Sequence, residues 1–158
     1  MSNILLARID SRLVHGQVAT QWCREVGANM ILVVNDAAAE NRLRQELMHM
    51  ATPAHVSLQF MTVENGCADI GKFSKRQKVL LVCAKPQDVL LLIENGIQIP
   101  KVNVGNLNAG EGKRQLTISV AVDKEEEEAL KKIKSLGIEV EFRSVPADEP
   151  QSLETVFL

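Results

Sequence analysis

The tightest constraint in this chain is a rhythm. Short apolar runs rich in leucine and β-branched residues alternate with longer stretches of helical spacing. The runs cover residues 4–9, 30–35, 79–84 and 101–104, and each reads as a strand buried on both faces. Between them, residues 17–26 follow His15-Gly16 with helical spacing, and residues 38–51 (AAENRLRQELMHMA) set Leu43, Leu47 and Met50 on one stripe. Residues 86–95 open on Pro86 and end near Gly96, as helices prefer. Residues 123–135 carry a capping Asp123, an acidic first turn and a lysine-rich last turn, with Gly137 closing the helix. After it, IEVEFRSVP alternates as a strand near a sheet edge does. Strand and helix in turn predict an α/β domain with a mostly parallel sheet and right-handed crossovers. The length suits one domain over residues 1–158, with no repeat, low-complexity segment or linker. The tail beyond Pro146 reads as a short terminal helix or a fraying end.

Composition removes several classes of function. A net charge of −2 leaves no basic surface for nucleic acid. Cys23, Cys67 and Cys83 are odd in number and widely spaced, which fits a reducing compartment better than a disulfide framework or a zinc motif. The start of the chain lacks the charged and apolar regions of a signal peptide. The longest apolar runs, MILVV and VLLVCA, are too short to cross a bilayer. These features predict a cytoplasmic protein.

In open α/β sheets, ligands bind beyond the carboxyl ends of the strands. The segments there are residues 8–16, 35–39, 84–87 and 105–114, and the first is the richest in chemistry. It places Arg8, Asp10, Arg12 and His15 directly behind an apolar strand. If the helix starts near Gln17, His15 and Gly16 lie at its mouth, where free N–H groups and the dipole favour an anion. Glycine lets a bulky anion approach the backbone. Arg8 and Arg12 are each expected to hold a phosphate oxygen through charge-assisted bonds. An imidazole attacks phosphorus when neutral, and neighbouring cations favour that form. Asp10 either bonds one ring nitrogen, fixing which nitrogen attacks, or orients an arginine. The set suits a histidine that accepts and passes on a phosphoryl group. No Walker lysine motif points to a nucleotide donor. The competing reading is plain: Arg8, Arg12 and His15 also stand at i, i+4 and i+7, the spacing of a solvated helical stripe.

Other residues are weaker candidates. His49 beside Met48 and Met50 reads as structural, and His55 as a loop residue; neither makes a paired-histidine motif, so no metal site is expected. Cys83 is the one rival nucleophile, although a buried cysteine is the commoner case. Lys85 either lines the pocket or is a solvated loop residue. Gly105 and Asn106, in VGNLNAGEGKR, either touch the first loop or form a plain turn. Trp22 fits the core, near the expected docking face.

The stretch RIDSRLVHGQV closely resembles the N-terminal signature of the mannose/fructose/sorbose family of phosphotransferase-system enzyme IIB components. The likeness continues through MILVVNDAAA, VLLVCAKPQDV, VNVGNLNAGEGKRQLTISVAVD and GIEVEFRSVPAD. It implies a single-domain open, mostly parallel sheet flanked by helices on both faces, with the active loop after the first strand. It implies that His15 is phosphorylated at Nδ1, with Arg8, Asp10 and Arg12 as the loop's charged residues and Gly16 and Gln17 at the start of the first helix. Other IIB families use a cysteine, and this first loop has none. Ser11 departs from the aspartate or asparagine common in relatives; as a small polar residue it should change little. The implied partners are a IIA protein or domain as donor and the membrane components IIC and IID as acceptor complex, with no cofactor and a place at the inner face of the membrane. Phosphoenolpyruvate is the implied ultimate donor, by way of enzyme I and HPr. VGNLNAGEGK resembles the N-acetylgalactosamine/galactosamine branch; sorbose, fructose and mannose stay open, and a homo-oligomer is compatible with the sequence. The reading outside this family is a non-catalytic α/β domain that binds an anionic metabolite at the same loop.

Overall fold

A computed structural model describes residues 3–157; residues 1, 2 and 158, the ends of the expected domain, lie outside the described residues. The four apolar runs form β1 (Ile4–Asp10), β2 (Met30–Val34), β4 (Val79–Cys83) and β5 (Lys101–Asn106). With β3 (Ser57–Met61), β8 (Glu139–Phe142) and β9 (Gln151–Ser152) they build a seven-stranded sheet in the order β3-β2-β4-β1-β5-β8-β9. Its pairs are parallel except β8–β9, so the alternating segment lies next to an edge, as expected. A small hairpin of β6 (Arg114–Thr117) and β7 (Val120–Val122) leaves the sheet after β5.

Successive strand residues face opposite layers. Leu32, Val34, Leu81 and Val104 pack against residues of α4 (Val63–Asp69), α5 (Pro86–Glu94) and α6 (Lys124–Ser135). Ile31, Val33, Leu80 and Val82 share the other core with α1 (Gly16–Val26), α2 (Asp36–Ala39) and α3 (Arg42–Met50). The connection leaving β1 therefore runs over one face, and those leaving its neighbours β4 and β5 run over the other. The carboxyl end of β1 lies at such a switch point, where an open α/β sheet leaves a crevice.

The helix expected over residues 38–51 is instead two helices. Asn35 Oδ1 accepts from Ala38 N at 2.9 Å to cap α2, and Asn41 Oδ1 accepts from Arg44 N at 3.0 Å to start α3. The break resets the helical phase. Gln45 is turned inward by its bonds to the Ala38 and Ala39 carbonyls (2.8 and 3.1 Å), and Met48 on the same side is buried. Leu43, Leu47 and Met50, whose spacing suggests a core stripe, consequently face solvent. The tail forms α7 (Leu153–Val156), capped by Ser152 and anchored by buried Leu153. Among the described residues no helix is long and apolar enough to cross a membrane.

Candidate functional site

Arg8 and Asp10 stand two apart on β1 and so share a face of the sheet. The chain then turns through residues 11–15 into α1. Leu13 takes a left-handed backbone (φ 61°), a conformation that costs a non-glycine residue about 1–2 kcal/mol. Its buried side chain and the bond from its N–H to Asp10 O (2.9 Å) hold it there. Gly16 opens α1 at φ 48°, where glycine is favoured. His15 is the N-cap residue in extended backbone, and its side chain does not cap the helix. The first-turn N–H groups thus remain available to an anion.

Asp10 is the hub. Its Oδ2 accepts from Arg8 Nη2 and from His15 Nε2, each at 3.0 Å. Its Oδ1 accepts from the Arg12 backbone N–H at 2.9 Å and from Arg12 Nε at 3.3 Å. Burial alone would raise the Asp10 pKa; the His15 bond, the Arg8 charge and the Arg12 N–H outweigh it and hold the carboxyl below its ordinary value. An ionised carboxylate only accepts, so the His15 proton sits on Nε2. Nδ1 then carries the ring's lone pair, on a side chain 24 % exposed. Asp10 thus contacts the ring and two arginines at once.

Arg8, expected to hold a phosphate oxygen, lies inside the fold. Arg8 is only 3 % exposed and directs its donors inward, to Asp10, to Asn103 Oδ1 (2.7 Å) and to the Arg143 carbonyl (3.4 Å). Its guanidinium lies over the Trp22 ring at 5.3 Å. Burial lowers its pKa, while Asp10 pulls the other way. Arg8 therefore orients Asp10. Arg12, 45 % exposed, is the arginine at the surface. Gln17 is exposed near the mouth of α1.

The second loop joins the first. Ser11 N–H donates to Asn106 O (2.9 Å), Ser11 Oγ accepts from Asn108 N (3.1 Å), and Asn106 Nδ2 donates to Asn108 Oδ1 (2.9 Å). An aspartate or asparagine oxygen at position 11 would offer the same acceptor. Gly105 lies against the Arg8 guanidinium, so both 105 and 106 touch the first loop's network. Lys85 is exposed and its charge acts on Asp88 instead. Cys83 is fully buried, and burial raises its thiol well above the usual range, which removes it as a nucleophile. His49 packs edge-on against Phe60 (6.0 Å), and His55 is exposed. Trp22 is core: its Nε1 donates to Ser144 O (3.1 Å), and Arg143 also lies over its ring at 5.2 Å. Asn103, Glu141 and Arg143 surround the site without a local sequence signal beyond polar residues inside strand patterns.

The family described as PTS system sorbose subfamily IIB component matches residues 4–158. The N-acetylgalactosamine-specific phosphotransferase enzyme IIB component 1 of Escherichia coli (strain K12) is 41 % identical over 152 residues, 96 % of each chain. The crystal structure of the N-acetylgalactosamine-specific IIB component 1 from Escherichia coli superposes with a TM-score of 0.91 at 40 % identity, over 95 % of this chain and 99 % of that one. The mannose-specific EIIAB component of Escherichia coli (strain K12) is 39 % identical over 145 residues, 90 % of this chain and 45 % of that protein. Each of these is a phosphotransferase component, and none is a metabolite-sensing domain. The chain belongs to the sorbose-subfamily IIB components of the phosphotransferase system, the phosphocarriers of that route of sugar uptake.

Proposed function

We propose that His15 carries the phosphoryl group. It accepts the group at Nδ1 from the phosphohistidine of a IIA protein or domain and passes it to a sugar held by the membrane components IIC and IID. The chain would thus act as a protein-Nπ-phosphohistidine–sugar phosphotransferase at the inner face of the membrane. One observation carries this reading: Asp10 Oδ2 lies 3.0 Å from His15 Nε2 and accepts its N–H, which leaves Nδ1 as the nucleophile on a half-buried ring. In the first step an N–P bond forms at His15 Nδ1 in line as the donor's N–P bond breaks, and the donor imidazole keeps the electron pair. In the second an O–P bond forms at a sugar hydroxyl as the His15 N–P bond breaks, the His15 ring keeps the electron pair, and the hydroxyl proton passes to a base beside the sugar or to solvent. The protein contributes position and charge more than acid–base chemistry. In this reading Arg12 and the first-turn amides at Gly16 and Gln17 receive the equatorial oxygens, with Asp10 and Arg8 setting the ring behind them; the exposure of Arg12 and the uncapped start of α1 support it. The EIIAB organisation of the mannose-specific relative supports a IIA partner. The identity to N-acetylgalactosamine-specific components supports N-acetylgalactosamine as the sugar.

The test is transfer from phosphoenolpyruvate through enzyme I, HPr and the cognate IIA. The wild type should gain one acid-labile phosphate at His15, and His15→Ala none; a His15→Ala protein labelled at the normal rate would refute the assignment. Arg12→Ala should slow acceptance about 10²–10³-fold, the loss typical of one charge-stabilising donor, with an unchanged melting curve. A melting curve that collapses while the residual folded protein transfers normally would make Arg12 structural.

A further inference from the structure

The parallel register sets Arg8 opposite Asn103 and Asn103 opposite Glu141. Three polar side chains thus form one lateral row across β1, β5 and β8. On the other side of Arg8 the same row continues as Val82 and Val33. Arg8, Asn103 and Glu141 are all buried. Arg8 Nη1 donates to Asn103 Oδ1 at 2.7 Å, and Asn103 Nδ2 donates to Glu141 Oε2 at 2.8 Å and to Arg143 O at 3.0 Å. Lys101 Nζ closes the row on Glu141 Oε1 at 2.7 Å. Arginine only donates and an ionised glutamate only accepts, so the Asn103 amide has a single permitted orientation.

The Arg8 guanidinium is confined by two neighbours besides its hydrogen-bond partners. Its Cζ lies 5.3 Å from the centre of the Trp22 ring. A Cβ built on Gly105 would stand 2.2 Å from Cζ and from both Nη atoms. Its hydrogen-bond partners are Asp10, Asn103 and the Arg143 carbonyl. A buried amide is an expensive choice in a parallel strand that a valine would fill.

We propose that Asn103, backed by Glu141, is a positioning residue for phosphoryl transfer: it fixes the Arg8 guanidinium and, through Arg8 and Asp10, the tautomer of His15. This rests on His15 being the carrier, so one readout must be independent of transfer. Ring ¹⁵N shifts of His15 give the Nε2–H tautomer fraction directly.

Asn103→Asp keeps an acceptor for Arg8 but sets two carboxylates face to face. It should lower the Nε2–H fraction and cut kcat for acceptance from phospho-IIA about 10–100-fold, as loss of a partner behind a functional histidine does, with KM for phospho-IIA unchanged. Adding Glu141→Gln reverses the polarity of the bond, with the new amide donating to the new carboxylate, and should restore both readouts. If Asn103→Asp does not fold, Asn103→Ala carries the same expectation for the single variant. A folded single variant with the wild-type tautomer fraction and kcat overturns the proposal, as does a double variant no better than Asn103→Asp. Normal labelling of His15→Ala would overturn the carrier assignment instead, and the tautomer readout would still judge the row.

Discussion

An Asp10→Asn variant is expected to lose phosphoryl acceptance by about 10⁴-fold, the loss seen when the analogous change leaves a triad histidine in the wrong tautomer. Every partner of the Asp10 carboxylate in the structure is a donor: Arg8 Nη2, His15 Nε2, Arg12 N–H and Arg12 Nε. An asparagine must turn its NH₂ toward one of these pairs. Of the four, only the imidazole can answer by becoming an acceptor at Nε2, which moves its proton to Nδ1 and removes the nucleophile. The same change leaves the buried Arg8 charge without its ionic partner, a loss of about 3–5 kcal/mol in stability. The pH dependence follows from the lowered Asp10 pKa. A carboxylate depressed in the folded state stabilises above its unfolded pKa of about 3.9, and that contribution is lost as pH falls through the folded value. Urea midpoints should therefore separate wild type from Asp10→Asn most at neutral pH, with the gap closing below about pH 4. A gap constant across that window, or acceptance within tenfold of wild type, would refute the role given to Asp10.

Which parts of this were readable beforehand follows from where each residue's environment comes from. β1, β2, β4 and β5 are covered on both faces, so nearly continuous apolar runs announce them. β3 has no fully buried residue, and β9 is two exposed residues, so neither leaves an apolar run to read. Helical spacing in residues 38–51 gives a stripe but no phase, and the Asn41 cap decided which side faces the sheet. The loop was legible because its chemistry is dense and local: Asp10, Arg12, His15 and Gly16 are close in sequence and together in space.

The burial of Arg8 is illegible for the opposite reason. Counting along the chain makes it a twin of Arg12. Its burial is imposed by Trp22 on α1, Asn103 on β5 and the Arg143 carbonyl, the last of them 135 residues away. Glu141 shows the same limit. Alternation in IEVEF points it outward, yet the chain after β8 folds back over that face, with the Ser144 carbonyl reaching Trp22 and the Arg143 carbonyl reaching Asn103. Side-chain partners supplied by distant strands leave no periodic trace.

Gly105 brings these distant constraints to one atom, and Gly105→Ala is the second change with a large expected effect. The added Cβ would fall 2.2 Å from the centre and both arms of the Arg8 guanidinium. The guanidinium must retreat by roughly 1 Å to reach van der Waals contact, and any such retreat disturbs its packing beside Trp22 (5.3 Å) and its bonds to Asp10 and Asn103. Overpacking of this kind costs about 1–3 kcal/mol, or a fall in Tm of about 2–4 °C per kcal/mol for a chain of this size. The functional loss should exceed the stability loss, because the displaced group is the one that holds Asp10 at 3.0 Å and Asn103 at 2.7 Å. Acceptance from phospho-IIA should drop below that of Arg12→Ala, and the His15 tautomer should shift as in Asn103→Asp. Gly110, in the same segment, provides the control: a Cβ there meets nothing nearer than Lys113 Cδ at 3.8 Å, so Gly110→Ala should melt and transfer as wild type. If Gly105→Ala instead matches Gly110→Ala in urea midpoint and in rate, the guanidinium has freedom that the packing denies it, and the chain of contacts from β8 through Arg8 to His15 does not set the site.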